Sequence, residues 1–254
     1  MEKGSHIDFT VDGPIATVKL NRPEKANAFD GAMWQALEKT ALIIKATPAI
    51  NAVILTGAGN SFCGGLDIKK ILSEGLTLEG SLRQGPETLG YLSAVFTLYE
   101  QLPVPVIAAI KGGCIGLGME LALACDVRLA AENAVFSIPE VAFGLVPDCG
   151  GTQRLPRVVG IGMAKELIYS GRRIDAEEAL RIRLVNHVYP AERLLEEAEK
   201  LAREIAAHPN GAVQASKRCL NEALSTTMET GLRYETVSAV SILGDRLKDM
   251  IKFK

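Results

Sequence analysis

Two glycine-rich segments, each directly behind a short apolar run, constrain this chain more than any other feature. Gly57-Ala58-Gly59-Asn60-Ser61-Phe62-Cys63-Gly64-Gly65-Leu66-Asp67-Ile68-Lys69 follows the apolar residues 52–56. Lys111-Gly112-Gly113-Cys114-Ile115-Gly116-Leu117-Gly118-Met119-Glu120 follows residues 104–110. The apolar runs have the length of buried strands. Glycine permits positive φ and lets backbone approach a ligand closely. The second segment opens a short helix predicted over residues 116–124, whose free N–H groups and dipole favour negative charge.

The rest of the chain extends this pattern. Ile7, Phe9 and Val11 alternate, Asp12-Gly13 follows, and residues 15–20 read as a second strand, which is a hairpin signal. Asp30 is placed to cap a helix running to about residue 47, with Met33, Leu37, Ala41 and Ile44 on one face. Residues 75–90, rich in glycine and polar side chains, are expected to form a mobile loop, with a helix over 88–101. Further short strands are predicted at 127–130 and 134–137, and mostly helix from Gly160 onward. Strands alternating with helices, then a helical tail, predict an α/β domain over residues 1–189 and a C-terminal helical region over 190–254.

Charge and composition narrow the function. The 254 residues carry 28 basic and 30 acidic side chains, a net charge of −2. No basic excess points to nucleic acid or a membrane surface. The apolar runs are too short to span a bilayer, and the N-terminal residues lack the apolar stretch of a signal peptide. Five cysteines form no CxxC pair and read as reduced thiols of an intracellular, cytoplasmic protein. Three scattered histidines show no ligand spacing, so no metal site is expected.

The glycines alone do not name a ligand. Gly116-Leu117-Gly118 lacks the third glycine of the dinucleotide fingerprint, because Leu121 stands there, and no Walker A pattern is present. Carboxylates change the balance. Glu120 lies one helical turn after Leu117, Glu140 follows Pro139 at an expected helix start, and Asp148 follows Pro147 before Cys149-Gly150-Gly151. All three stand in apolar or Gly/Pro stretches. Burial raises a carboxylate pKa, and two close carboxylates push their values apart, which yields one acid and one base near neutral pH. Helix capping or salt bridging would also account for either glutamate, and turn chemistry for Asp148.

In combination these residues resemble the enoyl-CoA hydratase/isomerase (crotonase) family. Gly64 through Lys69 is similar to its Ala-Gly-Ala-Asp-Ile-Lys loop, and Lys111 through Asp126 to its Asn-Gly-x-x-x-Gly-Gly-Gly-x-Glu-Leu-Ala-x-x-Cys-Asp segment. Pro139-Glu140 and Gly144-Leu145 through Leu155 resemble the third hallmark. Asn21-Arg22-Pro23 and Asn27-Ala28 resemble the N-terminal loop, and Gly171, Ala176, Glu178-Ala179 and Leu184-Val185 extend the likeness over nearly the whole chain.

The resemblance implies an α/β spiral of ββα repeats with a C-terminal helical region that makes trimer contacts, and a homotrimer or homohexamer. It implies an acyl-CoA substrate and no separate cofactor, since the CoA thioester is itself the substrate. Backbone N–H groups of Leu66 and Leu117 would form the oxyanion hole, where leucine replaces the family's usual small residue. Glu120 would orient and activate a water, and Glu140 would shuttle the proton at Cα. Lys25 and Lys69 would meet the CoA phosphates. Ala26, Ala28, Gly64, Asp67, Ile68, Gly113 and Gly116 complete the expected CoA and substrate contacts.

Two departures bear on the reaction. Asp148 stands where hydratases often carry glycine and where dienoyl-CoA isomerases and ring-acyl-CoA isomerases carry an acid. Hydration of a 2-enoyl-CoA leads, with double-bond isomerisation through Asp148 as the alternative; a thioester hydrolase and an RNA-binding relative on the same scaffold are weaker competitors. The sequence also stops at Phe253-Lys254, shortly into the segment where relatives reach a neighbouring subunit.

Overall fold

The computed structural model describes residues 6–73 and 85–252, with side chains described at 6–70 and 90–244. β1 (Ile7–Asp12) and β2 (Ile15–Leu20) form the expected antiparallel hairpin, with Asp12 opposite Ile15. From β2 the sheet grows in parallel through β3 (Ala52–Gly57), β4 (Val106–Ile110), β6 (Val127–Ala131) and β9 (His187–Tyr189). Every residue of β3 and β4 is buried. A parallel sheet covered on both faces needs apolar side chains on both, which is why these strands read as unbroken apolar runs.

Successive strand residues go to opposite faces. Val53 and Leu55 join the main core with α1 (Gly31–Lys45) and α3 (Gly85–Glu100). Ala52 and Ile54 join a second cluster with Ile107, Ala109 and Leu129, covered by Leu194, Ala198 and Ala202 of α8 (Leu194–Ala206). Those three α8 residues recur every four positions and form one apolar stripe. Asp30 caps α1 as expected, accepting the Met33 N–H at 2.9 Å. Phe29, Trp34 and Phe96 stack between α1 and α3 with centroids 4.6–5.5 Å apart.

A smaller sheet runs beside the first, in the order β5 (Gly113–Ile115), β7 (Val135–Ser137), β8 (Ile174–Asp175), and a parallel bridge from Cys63 to Cys114 adds a fourth position. The chain visits the large sheet at β4, the small sheet at β5, then α4 (Leu117–Leu123), before returning at β6 and β7. This is the ββα spiral. After it come the 3-10 turn Glu140–Phe143, α5 (Gly151–Val159), α6 (Ile161–Ser170) and α7 (Ala176–Arg181).

Several local expectations are corrected. β5 occupies part of the second glycine segment, which reads as a loop. β8 and β9 interrupt the stretch after Gly160 that reads as helical. At two or three residues these strands are too short for a period to show, and their pairing partners are distant in sequence. The helix expected from residue 88 begins at Gly85, so 85–90 is helical, while the expected mobile loop over 75–84 lies outside the described residues.

Beyond residue 189, α8 seals the large sheet, and α9 (Asn210–Glu222) and α10 (Met228–Lys252) follow. Buried Lys217 of α9 donates to Asp126 Oδ2 at 2.7 Å and to the Val104 carbonyl at 3.0 Å, anchoring this helix to the core. Among the described residues, no helix is long and apolar enough to cross a membrane.

Candidate active site

One wall is the turn between β3 and α2 (Ile68–Ser73), held by the loop after β2. Ala26 and Asn27 take left-handed φ values of 50° and 57° and double the loop back. The Asn27 amide donates to the carbonyls of Ala58, Ser61 and Phe62 at 2.8–3.2 Å, and its oxygen accepts the Arg22 N–H at 2.9 Å. Gly64 N–H donates to Ala26 O, Phe29 N–H to Gly65 O, and Asp67 N–H to Phe29 O, each at 2.7–2.9 Å. Leu66 is thereby locked in a parallel bridge with Phe29.

Beneath this turn lies a buried ionic network. The Arg22 guanidinium donates to Ala28 O at 2.6 Å and to Asp67 Oδ2 at 3.0 Å, and stands 3.4 Å from Asp30. Asp30 also receives Lys70 Nζ at 2.8 Å and lies 3.0 Å from His6 Nδ1. Burial alone pushes the Asp30 carboxyl up; the hydrogen bonds from Lys70 and Met33 and the charges of His6 and Arg22 outweigh it and hold the group below the usual range. Asp67 is likewise lowered, its partial burial outweighed by the Lys70 N–H and Arg22.

The opposite wall is the start of α4. Gly116, its N-cap, has φ +54°, and a Cβ there would lie 2.7 Å from Glu140 Oε1. Only glycine allows this backbone and this carboxylate together. Gly65 has φ +97°, and a Cβ there would stand 3.0 Å from Ile115 O and 3.9 Å from Leu117 N. The backbones carrying Leu66 and Leu117 therefore abut across the site. The Leu117 N–H is the first of α4 and has no intrahelical partner. Among the described residues, no acceptor takes the N–H of Leu66 or of Leu117.

Glu120 sits on the first turn of α4 and is fully buried. Its Oε1 accepts the Gly151 N–H at 2.8 Å, while Oε2 has no partner. Burial is the main force that raises its carboxyl to about 8; Glu140 and Asp148 add to it, against the backbone hydrogen bonds of Gly151 and Cys149. Glu140, at the start of its 3-10 turn, is half-buried, and its Oε2 is buried without a partner. Burial, then Asp148, raises its carboxyl too. Asp148 itself is exposed, at the rim. Among the described residues, none of these three acids is ion-paired.

The structure thus brings Glu120, Glu140, Asp148 and Gly116 together, and sets Leu66 beside Leu117. Ala26, Ala28 and Gly64 line the neighbouring loop. Lys25 is exposed there, close enough to Asp67 to lower that carboxyl. Ile68 and Lys69 are exposed on α2. Asp67 is engaged with Arg22 and caps α2 through the Lys70 N–H at 3.2 Å, and Gly113 pairs with Val135 in the small sheet, its carbonyl taken by the Cys63 N–H at 2.9 Å. Three participants have no separate signal in the sequence reading: Arg22, visible only within Asn21-Arg22-Pro23; Gly151, as the Glu120 donor; and Cys149.

The sequence model of the family described as enoyl-CoA hydratase/isomerase matches residues 10–245. The chain belongs to this family. A short-chain-enoyl-CoA hydratase from Clostridium acetobutylicum is 40% identical over 234 residues, covering 91% of this chain and 87% of that protein. The crystal structure of an enoyl-CoA hydratase from Bacillus anthracis superposes with a TM-score of 0.90 at 37% identity, covering 98% of this chain and 95% of that one. A Thermobifida fusca structure in complex with CoA does so with a TM-score of 0.85 at 31% identity, covering 96% and 95%. Both glutamates lie beside the second glycine segment, Glu120 on the helix that Gly116 caps and Glu140 against Gly116 itself.

Proposed function

We propose that the protein hydrates the 2,3 double bond of a 2-enoyl-CoA thioester to a 3-hydroxyacyl-CoA. The observation that carries this reading is the pair of unpaired, pKa-raised carboxyls, Glu120 and Glu140, beside two free backbone N–H groups. The thioester oxygen accepts from the N–H groups of Leu66 and Leu117, which stabilise the negative charge it gains as the enolate forms. Glu120 and Glu140 hold one water against the β-carbon.

The proton balance closes without another partner. In the free site the pair shares one proton, held by the more strongly raised Glu120. The bound water relays it to Glu140. Ionised Glu120 then takes a proton from the water as its hydroxyl bonds to Cβ, and Glu140 delivers its proton to Cα. Glu120 is again protonated and Glu140 ionised, as at the start. The CoA thioester is the substrate, and no separate cofactor enters these steps.

The exposed Lys25 and Lys69 would meet the phosphates, and Ala26, Ala28, Gly64 and the backbone of Leu66, Asp67 and Ile68 the nucleotide end. Gly113 and Gly116 back the acyl end. The CoA-bound neighbour supports the ligand class, and the name of the Clostridium relative supports a short acyl chain. The apolar row Leu220, Leu224, Leu232, Val240 and Leu243, exposed on α9, α10 and the turn between them, supports a homotrimer or homohexamer. Four of five free cysteines are buried, which suits a reducing compartment such as the cytoplasm.

The test is purified protein with crotonyl-CoA, followed by the conjugated-thioester absorbance and product mass. Loss of absorbance with gain of one water is expected; an unchanged substrate would remove the hydratase reading. A second reading, isomerisation of a dienoyl- or ring-acyl-CoA, is favoured by Asp148, which acts electrostatically on both glutamates. Conversion of 3,5-dienoyl-CoA without mass change, lost in Asp148→Asn, would favour it.

A further inference from the structure

The proposed hydration uses two glutamates and leaves two neighbouring groups idle, Asp148 and Cys149. Donor atoms of Glu120, Asp148 and Cys149 all lie within 4.8 Å of one another. Cys149 Sγ is 3.8 Å from Asp148 Oδ1. Glu120 is fully buried, with its Oε2 unpartnered, and Cys149 is 1% exposed. Among the described residues, no cation is ion-paired with Glu120 or Asp148, and only the charge of Arg154 acts favourably on Cys149. The nearest guanidinium, Arg154, donates to the Cys149 carbonyl at 3.0 Å but is committed to Glu100 Oε2 at 2.7 Å and to Thr97 at 3.0 Å. A cluster of acids with no cation of its own is stabilised by any ion that supplies one.

The donor set selects the ion. One thiolate and two carboxylates from three side chains, with a fourth position open, match zinc-class coordination and suit magnesium or calcium poorly. Tetrahedral bonds of about 2.0 Å to oxygen and about 2.3 Å to sulfur place donors roughly 3.3–3.6 Å apart. Donors as far apart as 4.8 Å would have to close by up to about 1.5 Å: rotation of the exposed Asp148 side chain brings its oxygen in, and small rotamer changes of Glu120 and Cys149 close the distance between those two.

We propose that Glu120, Asp148 and Cys149 form a binding site for a thiophilic divalent cation of the zinc class, and that its occupancy inhibits the enzyme. On binding, the Cys149 thiol releases its proton to solvent as the sulfur–metal bond forms, and the Glu120 carboxyl does the same. The Glu120 carboxylate is then no longer free to hold and deprotonate the substrate water. The inhibitory role rests on the hydratase reading; the binding site does not.

The protein, stripped with chelator, is titrated with Cd2+ and the thiolate-to-metal charge-transfer absorption is recorded. One Cd2+ per chain is expected, with the band lost in Cys149→Ala, weakened in Asp148→Asn and kept in Cys219→Ala, which controls for the more accessible thiol. In parallel, Zn2+ should inhibit crotonyl-CoA hydration reversibly by chelator. Cys149→Ala keeps the backbone N–H beside Glu120 and, measured against its own metal-free rate, should need at least about tenfold more Zn2+ for the same fractional inhibition. Absence of the band in the wild type, or its persistence in Cys149→Ala, would overturn the site while leaving the hydratase reading intact. A Cys149-dependent band in a protein that fails to hydrate crotonyl-CoA without metal would keep the site and remove its inhibitory role.

Discussion

Among the described residues, the carboxylates beside Arg22 are ion-paired, and Glu120 and Glu140 are not. Both regions lie beside the same glycine turns, and both bury acidic side chains. Asp30 and Asp67 are surrounded by Arg22, Lys70 and His6, and their carboxyls are held below the ordinary range. Glu120 and Glu140 have apolar walls, each other and Asp148, and are raised. The first arrangement stabilises charge and fixes backbone. The second favours a retained proton, the property a general acid needs. A carboxyl group holds its charge or keeps its proton according to what packs against it.

The largest effect should come from removing the reactive charge. Glu140→Gln should lower kcat by about 10²–10⁴-fold while CoA-thioester affinity, measured by equilibrium binding, stays within a few-fold. Full turnover in that variant would erase the distinction drawn between the two regions.

Breaking the paired region should act on stability instead. Arg22→Ala takes from Asp67 its guanidinium and leaves Asp30 to Lys70 and His6, and a loss of about 2–3 kcal/mol is expected in urea unfolding. A neutral result would show that the network is incidental to the fold.

The two regions should also answer pH with opposite sign. Glu120 titrates near 4.5 when unfolded and about 8 when folded. Between those values the unfolded chain has lost a proton that the native state keeps, so rising pH destabilises the native state until about 8. Glu120→Gln removes this penalty. Its unfolding free energy should pull ahead of wild type as pH rises, to a gap on the order of a few kcal/mol. Asp30 is lowered from 3.8, so its contribution is present above that value and lost as pH falls below it. Asp30→Asn should therefore converge with wild type in acid and diverge above it. Parallel pH curves for the two variants would contradict the assignment.

The smallest effect belongs to Asp148. Replacing it by Asn removes a negative charge that acts on both glutamates, and the pH–rate profile should move to lower pH by a few tenths of a unit, because the residue is exposed and screened. No shift would confine Asp148 to turn geometry.

Local signals carried much of this architecture. The β1–β2 hairpin, the Asp30 cap and the buried runs of β3 and β4 each depend on neighbours a few residues away. So do the glycine turns, whose positive φ values at Gly65 and Gly116 follow from the missing Cβ. β5, β8 and β9 were not legible, because strands of two or three residues exist only through their partners. Nor could spacing show that Arg22 reaches Asp67, 45 positions away, or that Gly151 donates to Glu120, 31 positions away.

By itself the sequence determined the residue types, the glycine positions and the family to which they belong. The tertiary structure decided which carboxylates meet a cation and which are buried beside one another with backbone N–H groups for partners. That outcome depends on burial and on distances between segments far apart in the chain, and both come into being only when the sheets close.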